Sequence, residues 1–81
     1  MRVVLSDRTI ESLKDAPRNV QRAFDKQLRF LVNNLHHPSL RTKKFDATNG
    51  LWQARVTKGW RFYFTIVDDA YLIEKVIPHP K

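Results

Sequence analysis

The stretch from Leu51 to Lys81 constrains this chain more than any other, because it reads as successive β-hairpins and leaves little choice of architecture. Trp52–Thr57 alternates, with Trp52, Ala54 and Val56 on one face and Gln53, Arg55 and Thr57 on the other. Lys58-Gly59 follows as a turn, glycine being the residue that takes up positive φ at no steric cost. Trp60–Val67 alternates again, with Trp60, Phe62, Phe64 and Ile66 opposed to Arg61, Tyr63 and Thr65. Asp68-Asp69 supplies a second polar turn, and Tyr71–Ile77 is a third β-rich run. Such a meander has one apolar face and one that carries Arg55 and Arg61. Arginines on a sheet face are the first functional clue.

The rest of the chain supplies the cover. Arg2–Leu5 is a short β-branched run, and Ser6 or Asp7 is a fitting N-cap for a helix ending near Asp15, with Ile10 and Leu13 turned inward. Ala16 breaks that helix, and Pro17 suits the first turn of a second one. There Val20, Phe24, Leu28, Leu31 and Leu35 make the stripe of an amphipathic helix, which His36-His37-Pro38 ends. The expectation is an α+β fold in the order β-α-α-β-β-β. Two N-terminal helices pack on one face of a mainly antiparallel four-stranded sheet, and Thr42–Asp46 is a candidate further edge strand. At 81 residues the chain reads as a single domain over 1–81. It has no cysteine, hence no disulfide framework or thiolate metal site, and no apolar run long enough to span a membrane. The expected location is the cytoplasm.

Charge narrows the function. The chain has 15 Lys and Arg against 8 Asp and Glu, a formal +7, a balance that favours nucleic acid or an acidic protein partner. From Asp7 to Arg29 six basic residues are matched by four acids, the pattern of a solvated helical surface. From Arg41 to Arg61 six basic residues (Arg41, Lys43, Lys44, Arg55, Lys58, Arg61) face the single acid Asp46. A basic loop joined to two sheet arginines suits a phosphate backbone, since guanidinium adds bidentate geometry to charge. Composition alone leaves this even with a surface that is basic for solubility. His79, held between Pro78 and Pro80, shifts the weight, because histidine transfers protons well near neutral pH. His36 and His37 are adjacent and lack the spacing of helical metal ligands. No metal or cofactor is expected. Trp52, Trp60, Phe62 and Phe64 read as core.

The order β-α-α-β-β-β, the segment Trp52-Gln-Ala-Arg55-Val-Thr57, the hairpin Gly59-Trp-Arg61-Phe-Tyr-Phe64 and the terminal Ile77-Pro-His79 together resemble the RelE/ParE toxin superfamily, and within it the YoeB-like ribonucleases. The resemblance covers nearly the whole chain and lies in the combination rather than in any one motif. It implies a microbial-ribonuclease type of fold and the toxin of a type II toxin–antitoxin pair. Such a toxin cleaves mRNA in the ribosomal A site without a metal, is bound by an acidic antitoxin, and meets operator DNA only through that antitoxin. It places Arg61 on the scissile phosphate, Arg55 on a neighbouring basic strand position, His79 as general acid, and Lys43 and Lys44 where other members have basic residues or a carboxylate base. The basic cluster puts Arg41 and Lys58 with them on the RNA. Tyr63 either stacks on a base or, as the simpler reading, makes an ordinary cross-strand contact. Two departures stand out: Pro80 follows the histidine where those ribonucleases have tyrosine, and no carboxylate base is evident, Asp46 being the nearest acid and Glu74 a more distant one. The rival expectations are a ParE-like inhibitor of DNA gyrase that cleaves nothing, and a non-toxic member that only binds a partner.

Overall fold

The computed structural model describes residues 1–80; Lys81, the last residue of the β-rich stretch, lies outside them. The elements are β1 (Arg2–Leu5), α1 (Asp7–Asp15), α2 (Arg18–Asn33), a 3-10 turn (Pro38–Leu40), β2 (Lys43–Asp46), β3 (Leu51–Thr57), β4 (Trp60–Val67) and β5 (Ala70–Pro78). The strands form one sheet in the order β1-β5-β4-β3-β2. Strands β2 to β5 run antiparallel, and β1 closes the sheet parallel to β5, Val3 opposite Tyr71 and Leu5 opposite Ile73. The sheet therefore has five strands and not four. The additional one, β2, carries Lys43 and Lys44, and an edge strand rich in lysine resists pairing with other chains while giving little apolar pattern to read.

Both helices lie on one face, α1 against β5 and α2 against β3. The core between the layers holds Val20, Phe24 and Leu31 from α2 with Ala54, Phe62, Phe64, Ile73 and Val76 from the sheet. Phe24 meets Phe62 edge-on, ring centroids 5.4 Å apart, the favourable geometry for two aromatic quadrupoles. Trp52 and Trp60 pack against this core from its margin. Among the described residues no helix is long and apolar enough to cross a membrane.

Ser6 caps α1, its Oγ accepting the Thr9 N–H at 3.1 Å and donating to the Glu74 carbonyl at 2.8 Å. Thr9 is fully buried and donates to the Ile73 carbonyl at 2.9 Å. This overturns the expected inward Ile10, which is 41% exposed. The line of α1 that meets β5 runs through Ser6, Thr9 and Leu13, and Ile10 lies one residue, or about 100°, round the helix. A turn does fall at Lys58-Gly59, but Gly59 is not in the positive-φ region; that conformation occurs instead at Gly50, Asp68 and Arg41.

The uncovered face of the sheet is shaped by three irregularities in register. Lys44 and Asp46 oppose Trp52 and Leu51, so Phe45 is an extra residue in β2. Val56 in β3 and Glu74 in β5 are likewise extra against β4. A bulge bends its strand and re-aims a side chain, and each of these lies on a strand that borders that face.

Candidate active site

On the face away from the helices the register places residues in cross-strand rows. Arg55 on β3 lies opposite Arg61 on β4, which lies opposite Ile77 on β5. Two residues along the strands, a second row runs through Lys43, Gln53, Tyr63 and Lys75, one from each of β2 to β5. Arg41, Lys43, Gln53, Arg55, Arg61 and His79 line one hollow of about 200 Å³ at this end of the sheet. Residues from position 41 to position 79 thus converge on one depression.

Each wall is held by a specific contact. Gln27, buried in α2, donates from its amide to the carbonyls of Ser39 at 3.0 Å and Arg55 at 2.8 Å. Its oxygen accepts from the Ser39 hydroxyl at 3.1 Å. One side chain so ties the 3-10 turn that precedes Arg41 to the strand that carries Arg55. Its place was legible, because 20, 24, 27 and 31 is a helical stripe, and a glutamine within such a stripe needs polar partners. Arg41 itself is left-handed at φ 48 and ψ 46, a conformation that costs a non-glycine residue about 1–2 kcal/mol.

Arg61 is anchored by one end of its fork. Its Nη1 donates to the carbonyls of Thr57 at 2.7 Å, Trp60 at 3.0 Å and Lys58 at 3.2 Å, clasping the β3–β4 turn. Arg61 is held below the usual arginine value, first by desolvation and then by the Arg55 cation; Tyr63 acts in the opposite direction and Arg41 lowers it further. A base whose folded pKa is lowered binds its proton less well than in the unfolded chain, so the shift opposes folding at every pH below that pKa. It stays charged in ordinary buffers and lies among cations that an arriving anion would neutralise. His79 follows the last strand, and its backbone N–H donates to the Gly59 carbonyl at 2.8 Å. One hairpin turn, 57 to 60, therefore positions both Arg61 and His79.

Not every candidate gathers here. Lys44 points to the other side of β2, its Nζ 5.8 Å from the Trp52 ring centroid, and exposed Lys58 offers the turn its carbonyl. Tyr63 shares the face with Arg61 but is only 5% exposed, so its ring is not free to stack on a base. Its hydroxyl accepts from the Gln53 amide at 2.8 Å, and Phe45 covers it edge-on at 4.9 Å. Asp46 and Glu74, the two acids considered as a base, are absent from the hollow. They line a separate depression with Arg8, Asn49 and Thr65, where Asn49 donates to Asp46 at 2.7 Å and Thr65 to Glu74 at 3.0 Å. His37 stacks on Phe30 and its Nδ1 accepts the Ser39 N–H at 3.1 Å, which fixes the 3-10 turn. Among the described residues no three His, Cys, Asp or Glu side chains gather as a metal site.

Lined, among the described residues, by four cations, one histidine and no carboxylate, the hollow can hold a phosphodiester, stabilise added negative charge on it, and hand a proton to a departing oxygen.

The sequence matches no family model. It matches no curated protein either. The backbone, however, is similar to solved structures over almost its full length. A YoeB/ParE toxin from Agrobacterium tumefaciens superimposes with a TM-score of 0.82 at 12% identity, covering 99% of this chain and 100% of that one. In the archaeal RelE–RelB complex from Pyrococcus horikoshii OT3 the similar chain gives 0.80 at 21% identity, covering 95% of this chain and 92% of that one. YafQ from E. coli strain BL21(DE3) gives 0.78 at 18% identity, covering 98% and 94% respectively. Superposition over nearly the full length of each chain shows that the chain has the RelE/ParE-like toxin fold.

Proposed function

We propose that this chain is the toxin of a toxin–antitoxin pair and acts in the cytoplasm as an endoribonuclease on mRNA in the ribosomal A site, so inhibiting translation. The observation that supports this reading is the convergence of Arg41, Lys43, Arg55, Arg61 and His79 on one hollow of the uncovered sheet face. In the reaction, the ribose 2′-oxygen attacks the adjacent phosphorus, forming a 2′,3′-cyclic phosphate as the bond to the 5′-oxygen breaks. Arg61 and Arg55 stabilise the charge that builds on the non-bridging oxygens. His79 gives its proton to the departing 5′-oxygen. The 2′-hydroxyl proton leaves to water, made more acidic by the surrounding cations. The route is metal-independent, and Lys43 or ribosomal RNA can take the 2′-hydroxyl proton in place of a carboxylate.

The free fork of Arg61 and the net charge of +7 also suit an acidic partner. RelE of Pyrococcus horikoshii is solved with RelB. By the same logic an acidic antitoxin covers the hollow here and keeps the nuclease silent, and contact with operator DNA runs through that antitoxin.

The test is primer extension on cellular mRNA after induction of this chain alone, beside His79→Ala and Arg61→Ala. We expect breaks in translated frames, reduced roughly 10²–10⁴-fold without the general acid and roughly 10²–10³-fold without the charge stabiliser. Growth arrest over intact mRNA in all three would sink the nuclease reading in favour of gyrase inhibition. Absence of arrest would favour a member that only binds a partner.

A further inference from the structure

We infer that Phe45, carried on the bulge of β2, seats a base of single-stranded RNA beside the arginine row, so that the base next to the reacting phosphate is held by stacking. The inference rests on the nuclease reading and adds to it a residue that neither the basic pattern nor the general acid would single out.

Three observations carry it. Phe45 is 54% exposed, the most exposed of the large apolar side chains. Two residues after Lys43, it faces the uncovered side by ordinary strand alternation, over Tyr63 at 4.9 Å, and as the extra residue of β2 it has no partner on β3. Covering Tyr63 occupies one side of the ring and leaves the rest in water.

The surroundings define the occupant. Phe45 overlies the row Lys43–Gln53–Tyr63–Lys75, which lies about 6–7 Å from the Arg55–Arg61 row, two residues along extended strands. That step is close to the reach of one extended nucleotide. Lys43 lines the hollow, and Lys75 stands with its Nζ 4.8 Å from the Tyr63 centroid. Cations therefore flank the ring on the side towards the hollow and across the sheet. Past it the excess of positive charge ends, for the neighbouring depression sets Asp46 and Glu74 against Arg8 and Lys75. A phosphate is therefore held more strongly in the hollow, with its four cations, than beyond the ring. A neutral planar group fits between, and a nucleobase is the neutral planar group attached to a phosphate one nucleotide away. Arginine-anchored phosphate and aromatic-stacked base are the two halves of single-strand recognition. Burial of Tyr63 now has a role: bonded to Gln53 and clasped by Lys75, it is the rigid floor that holds Phe45 at a fixed height.

The experiment uses the full chain in a translation extract programmed with one defined mRNA, with breaks mapped and timed by primer extension. Phe45→Leu keeps an apolar cover on Tyr63 but loses the aromatic face; Phe45→Trp keeps the face. Thermal melting of each purified variant checks that the fold is unchanged. Stacking on one base is worth roughly five- to a hundredfold in binding, so at limiting mRNA we expect Phe45→Leu to cut more slowly by that factor. The set of bases flanking its breaks should broaden. Phe45→Trp should cut near the wild-type rate. A Phe45→Leu variant that melts and cuts like wild type, at the same sites, overturns the stacking role and leaves the nuclease reading intact. A wild-type chain that makes no breaks overturns the nuclease reading, and this inference with it.

Discussion

The two faces of the sheet use the same strands in opposite ways. On the helix side Phe62, Phe64 and Ile73 have no exposed surface, and the side chains of α2 fill the space above them. On the other side the alternate residues Arg55, Arg61 and Lys75 keep part of their surface in water. Period-two alternation writes both at once, so a hydrophobic core and a cationic platform share one backbone, and the rigidity of the first fixes the spacing of the second. Burial alone therefore does not separate structure from function here. Tyr63 and Gln53 are buried on the uncovered face, held by each other, and serve as scaffold for exposed neighbours.

Substitutions that treat the faces unequally sharpen this contrast. The largest effect belongs to the helix side: Phe62→Ala should cost about 3–5 kcal/mol, the range for emptying a buried aromatic site. Chemical denaturation would measure it, and Arg61→Ala should lose far less stability while losing cleavage. Equal destabilisation by the two would show that the arginine clasp of the turn is as structural as the core. The smallest effect on stability is expected at Arg41. Arg41→Gly removes the charge but suits the left-handed backbone, so relief of about 1–2 kcal/mol is set against the greater freedom of glycine in the unfolded chain. Stability should change by less than about 1 kcal/mol in denaturant titration, while cleavage falls in a primer-extension assay. A variant that loses both would mean that Arg41 holds the loop rather than the ligand.

Much of the molecule is legible in the sequence because it depends on local alternation. The boundaries of β4, the Asp68-Asp69 turn and the Ser6 cap all stem from side-chain chemistry within a few residues. The exceptions have a common cause. Bulges shift register by one residue without a mark in composition, so nothing in the sequence singles out Phe45 in β2. The left-handed turn positions went to Asp68 and Arg41 rather than Gly59, because register and the Arg61 clasp set the turn geometry. Thr9 displaced Ile10 because the line of α1 that meets the sheet is chosen by docking, and Thr9 can bond the Ile73 carbonyl there. The separation of Asp46 and Glu74 from the hollow could be known only once strand order was fixed.

The parallel pairing of β1 with β5 has a consequence for the order in which the molecule assembles and opens. Strands β3, β4 and β5 meet through short turns, whereas the bond from Ser6 to Glu74 closes a separation of 68 residues. Contacts that close long loops form late and slow the whole reaction. The N-terminal strand and α1 dock mainly on β5, with lesser contacts to α2, so they are the natural unit to detach first. Native-state hydrogen exchange should then find the β1 amides opening at lower free energy than those of β3 and β4; equal protection would mean that the sheet opens as one. The arginine row, Gln27 and the turn that carries His79 all lie outside the detaching unit. The cationic hollow would therefore outlast the release of the N-terminal strand.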